Sequence, residues 1–314
     1  MSDNSYTPVR ITTIKAERQV PFPVYIFFKD QYLEYVQQGK AIEKEKYKKL
    51  RRQKITKFFI LGKDEGLYQK FLDSFLEETL NSPDASLDDK AEAVTGQSET
   101  AIERLQIDPG NQTNFDMTRK AAKNLQKLIF ENPESLKRIF GQDSESGPIV
   151  QHCINVAAMS VKFALKNKVT EEELDWLSTA ALMHDIGVMQ MEKESQDLFY
   201  KPKNDFEGHE KIKYFEHCKG VVQILAEKPY INAQVIELIE NHEENLQGSG
   251  PHKKSKLSKV QEILSMVNSY DKKIITKKIP PETAIKEMMI DELGNYNLAL
   301  LTNFKSFLKE EKVI

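Results

Sequence analysis

Cysteine is nearly absent: Cys153 and Cys218 are the only two in 314 residues. Two thiols cannot build the disulfide framework of a small secreted fold, so the chain fits a reducing compartment and must rely on a hydrophobic core. Long apolar runs are missing as well. No stretch approaches the roughly 18 apolar residues of a membrane span, and MSDNSYTPVR lacks the apolar region of a secretory signal. The expectation is a cytoplasmic protein with no membrane partner. Charge of one sign is also lacking: 45 Lys and Arg against 48 Asp and Glu leave a net −3. That balance argues against a nucleic-acid polymer as partner. Nor is there a glycine-rich phosphate loop, since Gly248-Ser249-Gly250 is not followed by Lys-Ser or Lys-Thr. A small anionic substrate would need local Lys or Arg, or a metal.

The pattern of what is present changes along the chain. Val9–Ile14 alternates like a half-buried strand, and Phe22–Phe28 and Lys57–Leu61 are short β-branched and aromatic runs. A helical stretch with Tyr68, Phe71, Phe75 and Leu80 follows. Residues 1–80 therefore read as a small α/β domain, most simply an interaction or regulatory module with a possible protein partner. Residues 81–112 are polar with little apolar periodicity, which reads as a linker. Residues 113–314 are almost wholly helical in pattern. Apolar stripes run through Ala121–Ile129, Ile149–Leu165, Glu171–Met183, Glu210–Leu225, Ala233–Asn241 and Leu257–Ile275, and Pro280-Pro281 opens another helix. The fold class is α+β overall, the α/β domain preceding an all-α one.

Four histidines stand where these stripes meet the core. His152 lies among the apolar residues of GPIVQHCINVAAMSV, and His184-Asp185-Ile186-Gly187 ends the stripe of Leu174, Leu177 and Ala181. Glu216-His217-Cys218 reads as opening a helix through GVVQIL, and His242-Glu243-Glu244 ends VIELIEN. A lone core histidine is usually bonded to a backbone carbonyl. Four at such positions, with Asp185, point to a metal centre, because imidazole suits Zn, Fe, Mn or Ni and a carboxylate can bridge two cations. His209 and His252 lie in polar stretches and read as surface residues.

This region, roughly residues 115–310, resembles the HD-GYP family, phosphodiesterases of the HD superfamily that hydrolyse cyclic di-GMP at a centre of two or three metals. The likeness rests on His152, His184-Asp185-Ile186-Gly187, Lys201-Pro202-Lys203, His217 with Ile224-Leu225, and His242-Glu243-Glu244 followed by Gly248-Ser249-Gly250-Pro251. LGNYNLALLTNF is similar to the family's last helix, and the resemblance implies that the helical region is an HD-type domain. FPVYIFF through KFFILGKDEGLYQKFLDSFL is similar to a small domain found ahead of such modules.

There are departures from the family pattern. Cys218 replaces a proline, Glu243 stands on the second histidine of a pair, and Pro251 stands where the tyrosine would be. Val188 replaces a lysine, and Pro148 occupies the position of a glutamate tied to a third metal. The pattern fits two metals better than three.

The resemblance implies metal ligation by His152, His184, Asp185, His217 and His242, with Glu243 as a further donor. The last ligand is Asn268 by the apolar register of EILSMVNSYD, or Asp271 with a different loop length; three apart, both lie on one helical face. Two divalent transition metals are implied, iron first and manganese second. Asp185 and His184 would be central to catalysis: hydroxide generated between the metals would attack a phosphodiester in line, giving pGpG or GMP. Lys201, Lys253 and Lys254 are candidate phosphate contacts. The alternatives are a binding or regulatory module without turnover, and an HD hydrolase of another phosphoester.

Overall fold

The computed structural model describes residues 5–140 and 146–314; the opening MSDN of the segment read for a signal lies outside them. The chain divides into two compact units, Met1–Thr100 and Ala101–Ile314.

The first unit contains β1 (Tyr6–Arg10), β2 (Val24–Phe28), β3 (Gln31–Val36), α1 (Lys44–Arg52), β4 (Lys57–Leu61) and α2 (Glu65–Asn81). Its sheet has the order β1-β4-β2-β3, and every neighbouring pair is antiparallel. In β4, Phe58 and Ile60 are buried while Lys57, Phe59 and Leu61 are less so, the two-residue period of a half-covered strand. Lys29 and Asp30, with φ of 48° and 60°, make the two-residue turn between β2 and β3. Tyr68, Phe71, Phe75 and Leu80 of α2 are all buried.

The strand expected over Val9–Ile14 instead begins at Tyr6 and ends at Arg10. Ile11–Thr13 curl into a 3-10 turn, in which the Thr13 hydroxyl donates to the Arg10 carbonyl at 2.7 Å. A threonine that bonds its own backbone competes with the ladder.

The linker expected over residues 81–112 holds a 21-residue helix, α3 (Leu87–Ile107). Its buried positions include Ala91, Ala93, Gln97, Ser98 and Thr100. The Ser98 and Thr100 hydroxyls donate to the carbonyls of Val94 and Gly96, each at 2.9 Å. Hydroxyls satisfied inside the helix can be buried without leaving an apolar stripe in the sequence.

The second unit is helical: α4 (Gln112–Glu131), α5 (Ser135–Ile139), α6 (Pro148–Lys166), α7 (Glu171–Met183), α8 (Lys193–Gln196), α9 (Gly208–Ala226), α10 (Ala233–Asn241), α11 (Lys259–Lys277), α12 (Pro281–Asp291) and α13 (Leu298–Glu310). The starts are written in the sequence. Thr170 with Glu173 and Ser258 with Gln261 form reciprocal caps at α7 and α11, and Pro148 sits in the first turn of α6. The middle of α6 is buried on every side, packed by α4, α5, α7 and α11. Each fully buried Ile, Val, Met or Phe there contributes about 1.5–3 kcal/mol. Among the described residues no helix is long and apolar enough to cross a membrane.

Candidate metal centre

Five helices deliver the donors. His152 comes from the second turn of α6, His184 caps the end of α7 with Asp185 directly after it, and His242 caps the end of α10. Asn268 and Asp271 come from α11. His217 lies in the middle of α9 rather than at a helix opening, because α9 begins at Gly208. Gly187 permits the approach of α9: a Cβ there would lie 2.1 Å from the His217 carbonyl oxygen. His152, His184, Asp185 and His217 are wholly inaccessible to solvent, and His242 is 1% exposed.

The two oxygens of Asp185 face two separate histidine pairs. Oδ2 is 3.4 Å from Nε2 of both His152 and His184. Oδ1 is 3.2 Å from His217 Nε2 and 3.4 Å from His242 Nε2. Three of the rings are fixed from behind in the same way. Nδ1 of His184 donates to the Ala181 carbonyl at 2.8 Å, Nδ1 of His242 to Ile239 at 2.6 Å, and Nδ1 of His217 to Tyr214. Since a carbonyl only accepts, Nδ1 holds the proton and each Nε2 offers a lone pair to the centre.

Lone pairs therefore face lone pairs. His217 Nε2 and His242 Nε2 are 3.1 Å apart, and buried His184 Nε2 and Asp185 Oδ1 have no hydrogen-bond partner among the described residues. Acceptors so arranged are unfavourable unless a cation lies between them. The donor set thus fits divalent transition metals.

His152 is held differently. Its Nδ1 is 2.6 Å from Asp271 Oδ2, and Asp271 Oδ1 accepts from Asn155 Nδ2 at 3.1 Å. Asn268 lies on the other edge of the ring, its Oδ1 2.9 Å from His152 Nε2. The Asn268 amide donates from Nδ2 to the His242 carbonyl at 3.3 Å and to Glu243 Oε1 at 3.2 Å, which fixes its oxygen toward His152. Asn268 thus sits on the donor side and Asp271 behind the imidazole, in the carboxylate–histidine arrangement that orients metal ligands.

Burial would raise the Asp185 carboxyl, but the Lys272 ammonium and His184 outweigh it and hold the group well below the usual carboxylate range. Burial pushes His242 down to about 4. His152 is lowered by burial too, against the pull of Asp271. At neutral pH Asp185 is therefore an anionic carboxylate, with His152 and His242 held neutral beside it.

Lys272 is the cation the sequence left unnoticed. Its side chain is buried, its Nζ donates to Asp185 Oδ2 at 3.4 Å, and it lies 3.2 Å from the centre of the Phe199 ring. Val188 brings no charge and packs with Ile149 and Phe199. The sequence signal for Lys272 was a charged residue interrupting the buried stripe of α11.

Both oxygens of Glu243 are engaged. Oε1 accepts from the Tyr214 hydroxyl at 2.7 Å and from Asn268, and Oε2 pairs with Lys203. Oε1 is nonetheless 3.8 Å from His242 Nε2. Lys201 pairs with Glu210 at 2.7 Å, Lys254 Nζ is 3.8 Å from Glu237, and Lys253 is exposed beside Pro251. None of the three reaches the donors, whereas Lys203, two residues from Lys201, does approach them. A cavity of about 200 Å³ adjoins the centre, lined by Lys203, Tyr214, Glu243, Lys272, Lys273 and Lys277 among others. His209 is exposed, as is His252, which lies 3.4 Å from Glu240.

Residues 83–293 match the HD domain family. The chain belongs to that family, the match spanning about two thirds of its length. The fold is similar to that of Bd1817, an HDG"Y"P protein from Bdellovibrio bacteriovorus, with a TM-score of 0.78 and 22% identity over 97% of this chain and 100% of that one. No curated protein matches the chain.

Proposed function

We propose that the HD domain holds two divalent transition metals and hydrolyses a phosphodiester, cyclic di-GMP foremost. The observation that carries this reading is Asp185, whose two oxygens each face a different histidine pair. His152, His184, Asp185 and Asn268 would hold one metal, and His217, His242 and Asp185 the other, with iron the leading choice and manganese the second. When bound, the cations would supply an acidified water and Lewis-acid stabilisation of phosphoryl oxygens. Asp271 orients His152, and the lysines that line the adjoining cavity, Lys203, Lys272, Lys273 and Lys277, are each paired with a carboxylate that a phosphate would have to displace. The resemblance to HD-GYP proteins supplies the cyclic dinucleotide; the metal donors support phosphoester chemistry in general.

The test combines metal analysis with incubation of the iron-loaded protein and cyclic di-GMP, read by chromatography for pGpG or GMP. Two metals per chain with substrate left intact would reject the hydrolytic reading and favour a nucleotide-binding regulatory module. That second reading is supported by the complete burial of the donors and by the Lys272 ammonium beside Asp185. The N-terminal unit reads as an interaction module for a protein partner; Phe27 and Phe28, 50% and 55% exposed at the β2–β3 turn, support this.

A further inference from the structure

Cys218 stands next to His217 on α9, and its sulfur faces inward. Sγ is 3.3 Å from His217 Nε2 and 3.9 Å from His242 Nε2. Donor atoms of His217, Cys218 and His242 all lie within 4.8 Å of one another. Asp185 Oδ1, buried and without a hydrogen-bond partner, points at the same two rings from 3.2 and 3.4 Å. With the His217–His242 separation of 3.1 Å, five donor–donor distances lie between 3.1 and 3.9 Å. Tetrahedral bonds of about 2.0–2.1 Å to nitrogen or oxygen and 2.3 Å to sulfur place donors about 3.3–3.6 Å apart. Four of the five separations fall within about 0.2 Å of that range, and the Cys218–His242 one is about 0.3 Å longer, a spacing one ion could draw together.

We propose that Cys218 is a thiolate ligand of the metal held by His217, His242 and Asp185, which rests on the two-metal reading above. The metal–sulfur bond forms as the thiol proton leaves to solvent. The consequence is an asymmetric centre. One position, built from His152, His184, Asp185 and Asn268, offers nitrogen and oxygen only. The other adds a soft sulfur, which suits Zn or Fe(II) and disfavours Mn. Cys153, also buried, follows His152 and provides an internal control.

The test is reconstitution of the full chain with Co(II), with stoichiometry by native mass spectrometry and near-ultraviolet absorption for the sulfur-to-cobalt charge-transfer band. Wild type and Cys153→Ser should show the band, and Cys218→Ser should lose it while still binding cobalt. X-ray absorption on the wild-type protein should give a metal–sulfur distance of about 2.3 Å, a readout that needs no variant to fold. Cobalt bound by wild type without the band or that distance overturns the Cys218 proposal and leaves the metal centre standing. A band lost in Cys153→Ser but kept in Cys218→Ser also overturns it. Failure of wild type to bind cobalt at all overturns both readings.

Discussion

Asp271 Oδ2 lies 2.6 Å from His152 Nδ1, on the ring edge turned away from Asp185. That contact separates two residues of α11 that share a helical face, leaving Asn268 to offer its amide oxygen on the donor side. Asp271→Asn should lower metal affinity at the His152 position by about 10–100-fold, the range for an outer carboxylate that orients a histidine. Competition with a chromophoric chelator measures it. Complete loss of one metal from Asp271→Asn, with Asn268→Ala unaffected, would reverse the two roles.

Lys272 and a metal compete for the same carboxylate oxygen. Lys272→Met should destabilise the metal-free protein, on the order of 3–5 kcal/mol for breaking a buried ion pair. The same change removes a like charge from beside the cation, so metal affinity should rise. Thermal melts with and without added metal read both effects, and they carry opposite signs. A variant equally destabilised in both states would show that Lys272 only packs.

The His242 shift sets an acid limit on the metal-free fold. Burial, aided by His184 and His217, holds its pKa at about 4 rather than 6.5. Between those values the unfolded chain takes up a proton that the folded chain refuses. Stability from this group is therefore full above pH 6.5 and declines as the pH falls through 4, by up to about 1.4 kcal/mol per unit. Urea titrations of the metal-free protein at pH 7, 5.5 and 4 should show the decline, and His242→Gln should flatten it. An unchanged slope in the variant would assign the proton uptake elsewhere.

Gly187→Ala should disturb the centre without touching a donor. The added Cβ meets the His217 carbonyl, a backbone atom that cannot rotate away. The expected loss is about 3 kcal/mol, the upper end for overpacking, together with release of metal from the His217 position. Differential scanning calorimetry and metal content report the two effects separately.

Much of the candidate centre was legible because its donor side chains sit at helix ends or inside apolar stripes. His152, His184, Asp185, His217 and His242 are residue types that rarely occupy such places without a reason. Asn268 and Asp271 could not be told apart, since three-residue spacing puts both on one face and only the orientation of the His152 ring distinguishes them. Lys203 and Lys201 illustrate the same limit: two residues apart, one reaches Glu243 and the other Glu210. The α3 helix was hidden because alanines and self-bonded hydroxyls fill much of its buried face and dilute the apolar signal of Val94, Ile102 and Leu105. α1 and β3 were hidden because they bury almost nothing: of α1 only Leu50 is buried, and of β3 only Val36.

The seal around the donors has a kinetic consequence. With His152, His184, Asp185 and His217 fully enclosed and His242 almost so, a bound ion can leave only when the helices part. Its residence time is then governed by the rate of that local opening rather than by bond strength. Dialysis against a second metal should replace the first slowly, at the rate of that opening, so the freshly purified protein would still carry ions present at its synthesis.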